Sequence, residues 1–324
     1  MNIASRYLKE VVVRYIPAIY FFPRDFVAHL IDESHRSHAS SFVFLRFVYV
    51  HSRGYLRTAF LWFFRLVRPC TLSTGKHKVL VADIRHDGIA ALPRFLNPEQ
   101  VSKIRNYLTE QPGFRIGSGF AKSPAYLKAM ASGLKLEYSP TVILKAPGMD
   151  KLIEDPTIHE IAADYLGCEP IFTGVAAWWS LPDENASESD LNWSAQKFHF
   201  DYDWPAFVKF FIYLTDVGEK NGPFTFIYGT HEKKNEWRNG RLDDEYVYAQ
   251  YGDAVRPMVG AAGDMLIADT VGYHKGERVK EGARLILQLE FAVSRLGASC
   301  QYDLLPKNMK PLNARGHTFD VFAG

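Results

Sequence analysis

The pattern of apolar and polar positions divides the chain near residue 170. Beyond that point the apolar positions alternate. In the run Arg284–Phe291, Leu285, Leu287, Leu289 and Phe291 fall on one side, and Arg284, Ile286, Gln288 and Glu290 fall on the other. Successive side chains of a strand point to opposite faces, so one face meets an apolar layer and the other carries polar groups. Strands are predicted at 171–179, 197–201, 206–214, 223–228, 264–268 and 284–293. Turn-forming stretches separate them, notably Glu219-Lys220-Asn221-Gly222-Pro223 and Gly260-Ala261-Ala262-Gly263-Asp264. The polar stretches 181–196 and 232–256 read as loops over the mouth of the strand system, where substrate contacts tend to be carried.

Before residue 170 the period is mostly helical. Asn97 followed by Pro98 is a helix start, and Val101, Ile104 and Leu108 continue it at helical spacing as far as Pro112-Gly113. Residues 156–167 repeat the pattern, with Ile158, Ile161, Ala162 and Tyr165 inward and Gly167 past the end. Residues 1–22 read as a helix ended or kinked at Pro17, and the apolar runs at 79–82 and 140–146 read as short strands. Helices followed by strands predict helices packed on a largely antiparallel sheet system, a sandwich or barrel.

Composition adds a boundary. The chain has 324 residues, 47% hydrophobic and 23% charged, which suits one large domain with an extension. Residues 1–80 hold twelve Lys/Arg against four Asp/Glu, a balance of +8, whereas the remainder holds 26 against 32, a balance of −6. We therefore divide the chain into a basic, aromatic-rich extension (1–80), a main domain (81–296) and a tail (297–324). The run Thr58–Phe64 is far shorter than the ~20 residues needed to cross a bilayer. No secretory signal is evident at the start. The aromatics Tyr49, Tyr55, Phe60, Trp62, Phe63 and Phe64 stand among Arg46, Arg53, Arg57, Arg65 and Arg68. They either pack on the main domain or lie in a membrane interface. No nucleic-acid-binding module accompanies the basic residues, so no nucleic-acid partner is expected. Cys70, Cys168 and Cys300 are too few and too dispersed for a disulfide framework. The expected location is the cytoplasm, with peripheral membrane contact through residues 1–70.

The chemistry gathers in the strand-rich half. In Phe198-His199-Phe200-Asp201 an extended backbone puts His199 and Asp201 on one face. Together with a second imidazole they make the two-His-one-carboxylate set of non-haem Fe(II) oxygenases, which leaves coordination positions open. Tyr273-His274-Lys275 offers that imidazole. Arg284 follows His274 by ten residues, across a turn at Lys280-Glu281-Gly282. A guanidinium matches a carboxylate bidentately, which suits a co-substrate with a free distal carboxylate such as 2-oxoglutarate. Gln288 shares the face of Arg284 and is a candidate for the pocket wall. Trp178, Trp179 and Trp204 either stack against substrate or pack in the core.

These residues carry a resemblance. Asp87-Gly88-Ile89, Phe95-Leu96 with the helix after it, His199-x-Asp201, Asn221-Gly222-Pro223, Gly229-Thr230-His231, Gly263-Asp264-Met265-Leu266, His274 and Arg284 resemble, in order, the phytanoyl-CoA dioxygenase family over about residues 84–293. The resemblance implies a double-stranded β-helix (jelly-roll, cupin-like) core flanked by helices, with Fe(II), 2-oxoglutarate and O2. It implies His199, Asp201 and His274 as iron ligands and Arg284 as the anchor of the distal carboxylate, with Lys145 as a second contact to the co-substrate. The family often carries a hydroxyl residue where this chain has Gly276, so that hydrogen bond is either absent or supplied by another group, Thr225 or Tyr213. Asp203, two residues past Asp201, is the alternative carboxylate ligand. The implied activity is hydroxylation of an unactivated C–H bond in an organic substrate, and the basic aromatic N-terminus suggests a lipid or lipid-linked glycan reached at a membrane surface. The alternatives are an oxygenase acting on a soluble metabolite, a metal-dependent isomerase or hydrolase, and a non-catalytic cupin-like binding protein.

Overall fold

In chain order the strands are β1 (Ile89–Leu92), β2 (Gly113–Ile116), β3 (Ala121–Ser123), β4 (Lys135–Glu137), β5 (Ile171–Ser180), β6 (Phe207–Tyr213), β7 (Phe224–Ile227), β8 (Val255–Met258), β9 (Met265–Ala268), β10 (His274–Gly276) and β11 (Arg284–Ala292). The helices are α1 (Tyr55–Val67), α2 (Lys78–Asp87), α3 (Pro98–Thr109), α4 (Pro140–Ile143), α5 (Met149–Ile153), α6 (Pro156–Leu166), α7 (Glu188–Trp193) and α8 (Asp244–Tyr251). The structure is a computed structural model, and it describes residues 22–28, 45, 48–49, 52, 54–70, 75–116, 121–123, 135–203, 205–234 and 241–294. The helix expected at 1–22 (its residues 1–21), Trp204 and the tail lie outside the described residues.

Two antiparallel sheets form the double-stranded β-helix core. One runs β1-β9-β6-β11-β5-β4-β2-β3, and the other runs β10-β7-β8. Strand β11 sits at the centre, pairing along one edge with β5 and along the other with β6. Its alternation does what the sequence requires. Leu285, Leu287, Leu289 and Phe291 join the larger apolar cluster with Ile158, Ile161 and Tyr165 of α6. Ile286 joins a second cluster with Phe211, Tyr213, Phe224 and Phe226, between the two sheets.

The helix ends follow local chemistry. Asn97 caps α3 in a full capping box with Gln100, Asp155 caps α6, and Gly167 closes α6 in the left-handed region. Two expected strands are helices instead. Residues 140–143 form α4, because Ser139 accepts from the Val142 N–H and Pro140 occupies the first turn. Residues 79–82 lie in α2, whose buried Val81 and Ile84 are three apart on one face. A four-residue apolar run does not define a period by itself. The expected loops at 181–196 and 232–256 contain α7, α8 and the first part of β8. The segment 197–201 is extended but forms only isolated bridges, Phe198 with Leu242 and His199 with His274.

The first 80 residues are not a separate layer where they are described. Leu45, Tyr49, Phe60 and Phe64 are buried in the same apolar cluster as the strands. Arg65 donates to the Leu166 carbonyl, and Arg68 donates to the carbonyls of Val293 and Glu169. The boundary expected at residue 80 therefore falls inside a shared core. Among the described residues no helix is long and apolar enough to cross a membrane.

Candidate active site

His199, Asp201 and His274 bring one ligand atom each to within 4.8 Å of one another. His199 and His274 come from two segments that exchange backbone hydrogen bonds, His199 N–H to the His274 carbonyl at 3.0 Å and the reverse at 2.8 Å. The pairing lays the two imidazoles side by side, with ring centroids 4.4 Å apart. Each Nδ1 lies against a backbone carbonyl two residues earlier, Lys197 at 2.9 Å and Gly272 at 3.0 Å. A carbonyl can only accept, so Nδ1 carries the proton and Nε2 keeps its lone pair for a metal. Those Nε2 atoms stand 3.6 Å and 3.5 Å from the two Asp201 oxygens. Burial holds both imidazoles below their usual pKa, with the neighbouring His274 adding to the effect on His199.

Lys209, buried on β6, sets the state of the carboxylate. Its ammonium lies 2.8 Å from Asp201, 2.7 Å from Asp203 and 3.3 Å from Glu290. Burial alone would raise the Asp201 carboxyl. Lys209 foremost, then His274 and His199, overcomes this and holds it far below the usual carboxylate range. Asp203 turns to Lys209 and is not in the converging set. Nothing in the sequence had singled out Lys209, whose strand is buried at every position from Phe207 to Tyr213.

A cavity of about 210 Å³ opens beside the three ligands. Its wall includes Arg284, Gln288, Trp178, Lys135 and Glu137, with Phe211, Phe224 and Ile286 as its apolar part. Arg284 is buried. It donates through Nη1 to the Gly222 carbonyl and through Nη2 to Ser180 Oγ at 2.9 Å. Its Nε has no partner, and among the described residues no carboxylate pairs with it. Burial pulls its pKa down. A buried guanidinium without an anion is costly, and an incoming carboxylate would relieve the cost. Of the two glycines nearby, Gly222 lets its own turn pass close to residues 277–279, and Gly276 leaves room for the guanidinium. Gly222 adopts φ +71°, and a Cβ there would fall 2.5 Å from the Glu277 carbonyl oxygen. A Cβ on Gly276 would come within 3.0 Å of Arg284 Nη2.

The remaining expected residues divide. Gln288 and Trp178 reach the cavity, while Trp179 packs in the core and donates to the Tyr138 hydroxyl at 3.1 Å. Lys145 does not reach it: it follows α4 and is exposed. The lysine on the wall is Lys135, on β4, with its ammonium 4.5 Å from the Trp178 ring centroid. Tyr213 is also off the wall. Its hydroxyl donates to the Met258 carbonyl at 2.6 Å and accepts from the Phe224 N–H at 3.1 Å. Thr225 is fully buried outside the lining, its hydroxyl without a partner. His231 bonds the Arg85 carbonyl at 3.1 Å and has a structural place. A wider cavity of about 620 Å³ has Lys197 and Lys275 in its wall, each already paired with carboxylates.

A double-stranded β-helix with this triad defines an Fe(II)/2-oxoglutarate-dependent dioxygenase, and the donor set fits Fe(II). A family model described as phytanoyl-CoA dioxygenase matches residues 84–284. The chain belongs to the phytanoyl-CoA dioxygenase family. Among solved structures it is similar in fold to the non-haem alpha ketoglutarate dependent epimerase SnoN from nogalamycin biosynthesis, with 18% identity, 66% of this chain and 82% of that chain covered, and a TM-score of 0.51. It is similar also to the non-haem alpha ketoglutarate dependent carbocyclase SnoK from the same biosynthesis, with 18% identity, 69% and 86% covered, and a TM-score of 0.50. No curated protein sequence matches the chain at a significant level.

Proposed function

We propose that the protein hydroxylates an unactivated C–H bond in the polar head of a lipid-linked substrate, using Fe(II), 2-oxoglutarate and O2. The observation that carries this reading is the meeting, in one cavity, of the His199–Asp201–His274 set and an Arg284 that lacks an anion. His199, Asp201 and His274 would hold the metal from one side. Lys197 and Gly272 fix the imidazole tautomers through their carbonyls, and Lys209 keeps Asp201 ionised. Arg284 would take the distal carboxylate of 2-oxoglutarate. Phe211, Phe224 and Ile286 keep water from that end of the cavity. Fe(II) with 2-oxoglutarate and O2 supplies the oxidising power for C–H cleavage, the co-substrate leaving as succinate and CO2.

Two features support the substrate class. Gln288 and the Lys135–Glu137 pair, 3.1 Å apart with the Lys135 ammonium over the Trp178 ring, offer hydrogen bonds suited to a hydroxyl-bearing group. Helix α1 turns Tyr55, Trp62 and Leu66 outward, at 78%, 68% and 67% exposure, in the part of the chain with the basic excess. Large apolar side chains beside basic residues suit an anionic membrane interface. The test is succinate release with Fe(II) across lipid-linked, acyl and soluble substrates. His199→Ala should abolish it, and Arg284→Ala should raise the KM for 2-oxoglutarate roughly 10- to 100-fold with Fe(II) affinity unchanged. Succinate release by His199→Ala at the wild-type rate would overturn the reading.

A further inference from the structure

We infer that Arg57, on α1 and outside the stretch that matches the family model, is a positioning residue for the iron ligands, so that the N-terminal helix is a working part of the metal centre. The inference rests on the reading of His199, Asp201 and His274 as metal ligands.

The path of contacts is short. Asp269 follows β9, and its side chain is fully buried. Arg57 Nη2 donates to Asp269 Oδ2, and the Tyr165 hydroxyl donates to the same oxygen. Arg57 also reaches that hydroxyl at 3.4 Å. The other carboxylate oxygen, Oδ1, accepts from the Val271 N–H at 3.2 Å. The Asp269 carbonyl accepts from the Gly272 N–H at 2.9 Å, and its own N–H donates to the Gly88 carbonyl at 2.9 Å. Side chain and backbone of Asp269 thus fix the turn 269–272 as a unit.

That turn aims two carbonyls at the metal ligands. Thr270 O accepts the Asp201 N–H at 2.8 Å. Gly272 O accepts the His274 Nδ1–H at 3.0 Å. His274 passes the constraint to His199 through their paired backbone hydrogen bonds. One buried ion pair therefore stands behind all three ligands. Removing its cation leaves a buried carboxylate with only the Tyr165 hydroxyl and the Val271 N–H as direct donors, which is the costly way to break such a pair. Asp269 would then be driven to turn toward solvent or another donor, and the two carbonyls would move with it.

The alternative is that the pair only fastens α1 to the core. Four full-length variants separate the two: Arg57→Gln, Arg57→Lys, Asp269→Asn, and Phe64→Leu as a control that loosens α1 without touching the pair. Fe(II) is titrated anaerobically, and the ligand-field spectrum with Co(II) alone is recorded, with folding followed by circular dichroism. Folded Arg57→Gln and Asp269→Asn should bind Fe(II) about 10- to 100-fold more weakly and shift the Co(II) bands, as loss of outer-sphere partners does at other metal sites. Arg57→Lys should recover part of both, and Phe64→Leu should lower the melting temperature with metal affinity unchanged. Wild-type Fe(II) affinity and Co(II) bands in folded Arg57→Gln and Asp269→Asn would overturn the inference. The wild-type protein gives an independent measurement, because coupling between two sites is reciprocal. Saturating Co(II) should slow amide hydrogen exchange in residues 55–67, and unchanged exchange there would overturn the inference even if the variants do not fold. If the wild-type chain binds neither metal, it is the reading of the triad that fails.

Discussion

At the scale of single residues the site depends on one lysine as much as on its three ligands. Lys209 faces Asp201, Asp203 and Glu290, and these carboxylates outweigh burial and hold it charged. It occupies Asp201 Oδ2 and leaves Oδ1 the freer oxygen for a metal. A metal binds the ionised carboxylate, so a proton on Asp201 competes with it. Lys209→Met removes the main influence holding that carboxyl low, and its pKa rises. Fe(II) affinity should then fall about 10- to 100-fold near neutral pH, and as pH is lowered binding should fail at a higher pH than in wild type. Anaerobic Fe(II) titration across pH checks both, and an unchanged pH profile would refute the role. The ligand residues were legible because each choice is local: His-x-Asp needs only an extended backbone, and Arg284 and Gln288 follow from clean alternation. Lys209 was hidden because in a fully buried strand alternation separates two apolar layers and marks no polar face. Lys145 was misplaced because the segment carrying it is not a strand, whereas Lys135 sits on a three-residue strand too short to show alternation.

At the scale of elements, cap chemistry proved more legible than short apolar runs. Asn97-Pro98, Ser139-Pro140 and Asp155-Pro156 all place a capping side chain before proline, and all three begin helices. In the second, the apolar run Val142, Ile143 and Leu144 resembles a strand, and the cap decides for a helix. Strand β11 shows how one element serves two purposes. Its odd-numbered positions hold the apolar layer under α6, and its even-numbered positions Arg284, Ile286 and Gln288 line the cavity. Leu287→Ala should therefore lower unfolding free energy by about 2–5 kcal/mol. Gln288→Ala, on the opposite face of the same strand, should alter substrate KM with stability nearly unchanged. Urea denaturation and steady-state kinetics on the pair would separate the roles, and equal destabilisation by the two changes would contradict the two-faced strand.

At the scale of the whole molecule, the described part of the basic extension shares one apolar core with the oxygenase domain. Composition suggested a boundary because charge balance reports on surfaces, whereas Phe60 and Phe64 report on the core. Membrane contact is therefore better tested by surface changes than by truncation. Trp62→Ser with Leu66→Ser should leave the melting temperature within a few degrees of wild type and abolish sedimentation with anionic phosphatidylserine-containing vesicles. Undiminished sedimentation would remove α1 as the contact. The small cavity beside the metal ligands has a kinetic consequence. Its volume of about 210 Å³ lies below the roughly 300–1,000 Å³ of sites that enclose a drug-sized ligand. On the proposed reading a five-carbon dicarboxylate would take the cavity itself and a bulky substrate would lie at its mouth, against part of the same wall. If Arg284 takes the distal carboxylate as proposed, the dicarboxylate should bind before the substrate that covers it. Turnover is then expected to be compulsory-ordered, a substrate analogue finding a complete site only after the first ligand has bound.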